Sequence, residues 1–240
     1  MKERMLDKCI KANFKMVGNE IGIASVMALV SVFCLLSLWL IPMLVISLPV
    51  TVIYMIKMYK KLFYTSVYGE MAVTYQGLPV PAKENVAAKI FVAGAGIIIC
   101  NTAYIGVLFL TVISFSQNST GLKGIFEVLA AAGNADMKYV LPLTAMEGIV
   151  GAFRIAALIF LTIAAFNSLN GEKKGLHRFL IITVAFAANV LIGNISMLIT
   201  KLNIDNFFIL SSINLIIGAA MIVLCFRLTV KLLEEKYELN

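Results

Sequence analysis

The sequence predicts an all-α, polytopic membrane protein with about six transmembrane helices, both termini in the cytoplasm and an amphipathic N-terminal helix lying in the membrane interface. Three observations carry that prediction: composition, apolar run lengths and the distribution of Lys and Arg. Of the 240 residues, 61% are hydrophobic and 14% charged, where a soluble domain has about half and about a quarter. The mean hydropathy is +0.95. Apolar stretches of the roughly 20 residues that a helix needs to cross a bilayer recur along the chain and leave no room for a soluble domain.

The predicted spans fall at about 21–39, 42–57, 90–115, 140–166, 179–200 and 207–226, so that residues 1–240 form a single transmembrane domain. Ile21 to Ile56 is too long for one span and suits two helices that reverse near Leu40-Ile41-Pro42. The first span does not read as a cleaved signal peptide, because a polar-amphipathic segment precedes it and a second span follows at once. In that leading segment Met5, Leu6, Cys9, Ile10, Phe14 and Val17 recur at helical spacing, with Lys2, Lys8, Lys11 and Lys15 on much of the remaining surface. The pattern fits a helix in the interface with its cations at the headgroups, or a basic leader that only sets topology.

Cytoplasmic segments carry the excess of Lys and Arg. With the N-terminus inside, sixteen of these cations share the cytoplasm, while the outer loops hold Lys123, Lys138 and Lys201 and Arg154 lies within the fourth span. The net charge of +7 is thereby accounted for without a nucleic-acid partner.

Composition also excludes most catalysis. His177 is the one histidine, too few for a metal hydrolase, which needs several such ligands. Cys9, Cys34, Cys100 and Cys225 have no short spacing and read as small core hydrophobes. Gly121-Leu122-Lys123-Gly124 and Gly171-Glu172-Lys173-Lys174-Gly175 have the residue types of a phosphate loop at the wrong spacing. The expectation is a chain that is not an enzyme and holds no cofactor or metal of its own.

Within the spans, Glu147 and Arg154 are the conspicuous residues, seven apart on one face of the fourth helix and about 10 Å apart along its axis. Charges at such positions usually face a bundle interior or a water-filled cavity; they belong either to a substrate path or to neighbouring helices that satisfy them. Gly148, Ala152 and Ala156 mark an adjoining face for close packing. Asn101 in the third span, Asn189 in the fifth and Asn214 in the sixth, the last with Ser211 and Gly218 on its face, are milder polar positions. Such residues commonly pack helices together; the alternative is a weakly polar pathway.

The longest cytoplasmic connection, Lys57 to Lys89, contains Phe63, Tyr64, Tyr68, Glu70 and Tyr75 and is too aromatic for a mere linker. Its run Phe63-Tyr64-Thr65-Ser66-Val67-Tyr68-Gly69-Glu70, followed by Val73-Thr74-Tyr75, Leu78-Pro79-Val80 and Lys89, resembles a pattern in permease subunits of Gram-positive bacterial ABC exporters of the type-2 superfamily. Met71-Ala72 and the additional Gly77 depart from that pattern. The resemblance implies a permease in the bacterial cytoplasmic membrane that pairs with itself or a similar permease. It also implies two separate ATPase subunits that carry ATP and Mg. Phe63, Tyr64, Tyr68, Glu70 and Tyr75 would then form the coupling element in a groove of the ATPase, and the substrate would be hydrophobic or amphipathic, peptides included. The rival reading is a non-transporting scaffold or sensory subunit that binds a partner through the same segment.

Overall fold

Nothing between Met5 and Leu35 breaks a helix: the segment contains no proline, and its buried positions Asn13, Val17, Ile21, Ala24, Ala28 and Ser31 keep one stripe in helical register. A computed structural model describes residues 5–35, 41–68, 81–115, 137–168 and 207–238, together with Thr183 and Ala187. In it Met5–Leu35 is a single helix, α1, 31 residues or about 46 Å long. The predicted interfacial helix is therefore not a separate element. Its apolar face continues into that of the first span, and Ile10, Phe14 and Val17 pack against the same core as Ile21.

The helix α2 runs over Ile41–Tyr59, with Pro42 in its first turn, where no backbone bond is lost. Pro49 lies inside it, a position that membrane helices tolerate when nearby groups take up the freed carbonyl. Six residues of π-helix, Lys60–Thr65, extend it. Pro81 then receives the first backbone bonds of α3, from Glu84 at 3.0 Å and Asn85 at 3.2 Å. Glu84 favours the positive end of this helix dipole. The remaining long helices are α3 (Ala82–Phe115), α4 (Met137–Ser168) and α5 (Phe207–Glu238).

Among the described residues only 66–68 and 81 are not helical, and there is no strand. Four stretches are long and apolar enough to cross a membrane: Met5–Ser31, Ala82–Thr102, Ala145–Asn167 and Ser211–Glu234. The architecture is all-α and multi-pass. The predicted second span corresponds to α2, and of the predicted fifth only Thr183 and Ala187, both helical, fall within the described residues.

Packing places α3 at the centre. It contacts α1 on one side and α4 on the other, touches α5, and receives the π turn; α1 also packs along α2, and α4 along α5. Two glycines permit this. A Cβ on Gly94 would lie 2.4 Å from the Phe153 ring of α4, and one on Gly96 would lie 2.9 Å from the Met58 sulfur of α2. Small residues let membrane helices approach closely, and these two allow α3 to nest between its neighbours. On α4 the small positions Ala152 and Ala156 are buried as the sequence predicts, whereas a Cβ at Gly148 would meet open space. The hydroxyls of Ser31 and Ser47 meet at 2.8 Å in a buried link between α1 and α2.

Candidate functional site

Where α2 ends, the ladder widens to the π pattern, with Ser66 N–H donating to Lys61 C=O at 3.3 Å. The extra residue per turn rotates the following side chains. Leu62 and Phe63 turn inward and are fully buried, while Tyr64 is 43% exposed. Tyr68 is half-buried, its ring 6.5 Å from that of Tyr64.

Three ties hold this turn, one to each of three helices. Phe63 stacks on Phe160 of α4, with centroids 4.4 Å apart and planes 14° from parallel, and also on Tyr59 at 5.8 Å. Lys61 reaches α1, where its Nζ donates to Glu20 Oε1 at 2.7 Å and to Met16 C=O at 3.3 Å. Lys89 of α3, with no exposed surface, donates to Ser66 Oγ, which in turn donates to Leu62 C=O. Taking an ammonium group out of water is costly, and the bond to Ser66 offsets part of that cost. The Lys61–Glu20 pair is weaker. Lys61 is 43% exposed, so Glu20→Gln is expected to lower stability by less than about 1 kcal/mol, read as the shift in thermal unfolding of the detergent-solubilised chain.

The segment around Phe63 to Tyr75 thus divides. Phe63 is a core residue, because the π turn directs it onto Phe160; its ring is not available to a partner. Tyr64 lies at the outer side of the turn, and Tyr68 is half-buried and packs against the core. Glu70 and Tyr75 lie outside the described residues. Sequence reasoning treated Lys89 as a loop cation and overlooked its burial. The available signal was its place on the face of Val86, Ile90, Ala93 and Ile97, all buried core positions.

The second assembly of polar groups lies between α4 and α5. Glu147, Val150, Gly151 and Arg154 line one wall of a cleft of about 140 Å³, and Asn214, Leu215 and Gly218 line the other. A Cβ on Gly218 would meet Val150 at 2.6 Å, which explains why the helices touch at this level. Glu147 Oε1 and Arg154 Nε are both buried without a hydrogen-bond partner, and no ion pair joins these two residues among the described ones. Of the remaining polar candidates, Asn101 is exposed on α3 and does not line the cleft. Asn189 lies outside the described residues. Among the described residues no three His, Cys, Asp or Glu side chains converge as a metal site would require. In comparisons with protein families, curated proteins and solved structures, nothing matches this chain.

Proposed function

We propose that the chain is the transmembrane subunit of an ATP-driven exporter in a bacterial cytoplasmic membrane, moving a hydrophobic or amphipathic substrate. In this reading six helices span the bilayer with both termini in the cytoplasm. A second permease chain completes the pathway, and separate ATPase subunits bind and hydrolyse ATP with Mg. The observation that supports it best is the anchoring of the π turn to α1, α3 and α4 by Lys61, Lys89 and Phe63. Packed elements move as bodies rather than deforming continuously. A partner that pushes on Tyr64 and Tyr68 therefore displaces three helices together, which is what a lever between a soluble motor and a membrane pathway must do.

In this reading the labour divides between the partner-facing and the buried residues. Tyr64, Tyr68, Glu70 and Tyr75 contact the ATPase, while Phe63 and Lys89 transmit its motion inward and act as positioning residues. The test is co-purification of an ATPase with the tagged full chain from its own membranes. Replacing Tyr68 and Glu70 together by Ala is expected to lose the ATPase and leave the chain folded. Retention of the ATPase by that double variant, or its absence from the wild-type preparation, refutes the reading.

A further inference from the structure

The α4–α5 cleft holds two opposite charges, both on α4 and both within its apolar stretch Ala145–Asn167, each with a buried polar atom that no described residue satisfies. A buried polar atom left without a hydrogen-bond partner is unfavourable. An anionic ligand would answer Arg154 and repel Glu147; a cationic one would do the reverse. Only a ligand bearing both charges satisfies the two together. We propose that this cleft binds a zwitterionic phospholipid headgroup, with its ammonium at Glu147 and its phosphate at Arg154. The inference does not depend on whether the chain serves an ATP-driven exporter.

Depth along α4 gives the order of the groups. Glu147 is near the end of the apolar stretch Ala145–Asn167, and Arg154 lies about 10 Å farther along the axis. That separation leaves room for a ligand with its two charges between the side chains. A phospholipid arranges its charges in the same sense, with the ammonium outermost, the phosphate beneath it and the acyl chains deeper. Asn214, on the opposite wall, supplies both a donor and an acceptor.

Size and surroundings agree. A cavity of about 150 Å³ accommodates benzene, so the 140 Å³ here suits a headgroup of comparable bulk, such as phosphoethanolamine. The cleft lies within two stretches apolar enough to cross a membrane, Ala145–Asn167 and Ser211–Glu234, which favours a lipid over a soluble zwitterion.

Native mass spectrometry of the full chain in mild detergent, titrated with dioleoylphosphatidylethanolamine or dioleoylphosphatidylglycerol, tests the assignment. Wild type is expected to retain the ethanolamine lipid about tenfold better, the worth of one charge-assisted bond. Glu147→Gln removes that preference, and Arg154→Gln weakens both lipids. Gly151→Leu provides a check that leaves the charges in place. A Cβ at Gly151 meets nothing within 4 Å, so its side chain enters the cleft; it should lower ethanolamine-lipid retention about tenfold with unchanged thermal unfolding. Equal retention of the two lipids by wild type overturns the proposal, as does wild-type lipid preference in both Glu147→Gln and Gly151→Leu. A cationic amphipathic peptide that displaces the lipid and still binds Arg154→Gln would also overturn it, by assigning the site to a cation.

Discussion

Phe63→Ala lowers the stability of the chain by about 3–5 kcal/mol, whereas Tyr64→Ala, one residue along, changes it by about 0.5 kcal/mol or less. The contrast follows from the π turn, which buries the first ring completely on Phe160 and leaves the second at the outer side. Deleting Phe63 opens a cavity where α2, α3 and α4 meet and removes a stacked pair. Thermal unfolding of each variant in detergent measures the difference. Equal midpoints for the two would mean that Phe63 is not a core residue. The same pair separates packing from partner contact, since only Tyr64→Ala is expected to weaken ATPase binding without affecting stability.

A second large effect is expected at Gly94. A Cβ there would stand 2.4 Å from Cδ1 and 2.6 Å from Cε1 of Phe153, closer than any relaxed contact. Gly94→Val forces the Phe153 ring or the whole of α4 outward and costs about 1–3 kcal/mol. Phe153→Leu in the same chain clears the space and should recover most of the loss. Such non-additivity is the signature of direct contact. Gly148→Ala, where a Cβ meets nothing within 4 Å, serves as the control. If Gly94→Val and Gly148→Ala behave alike, α3 and α4 do not approach as described.

Helicity and the multi-pass character were legible in the sequence because both rest on run length and on the stripe of period 3.6; four of the six predicted spans have a counterpart long and apolar enough to cross a membrane among the described residues. The same stripe also contained the continuity of α1, in which Phe14 and Val17 lead into Ile21 and Ala24 without a phase change. Lysines in the leading segment drew attention to the membrane surface instead. Glu147 and Arg154 were legible as a pair sharing one face, and Asn214 and Gly218 as another; that the two faces meet required the packing of α4 on α5. Phe63 was not legible as core. An aromatic next to Lys60 and Lys61 reads as part of a solvated or docking surface, and only the widened turn reverses its direction. Lys89 was hidden for a related reason: residue type placed it in the cytoplasmic connection, while the register of α3 places it inside.

In the proposed exporter an ATPase partner grips the outer side of the π turn, and Lys89 and Phe63 carry its movement into the helices. ATP hydrolysis by the partner, measured with the full chain in lipid vesicles and with the partner alone, tests it most directly. The account predicts several-fold faster hydrolysis with the wild-type chain. With Lys89→Met the partner stays bound but hydrolyses at the rate of the partner alone. A partner that binds the wild-type chain with no change in its hydrolysis rate would contradict the account and mark the chain as a scaffold.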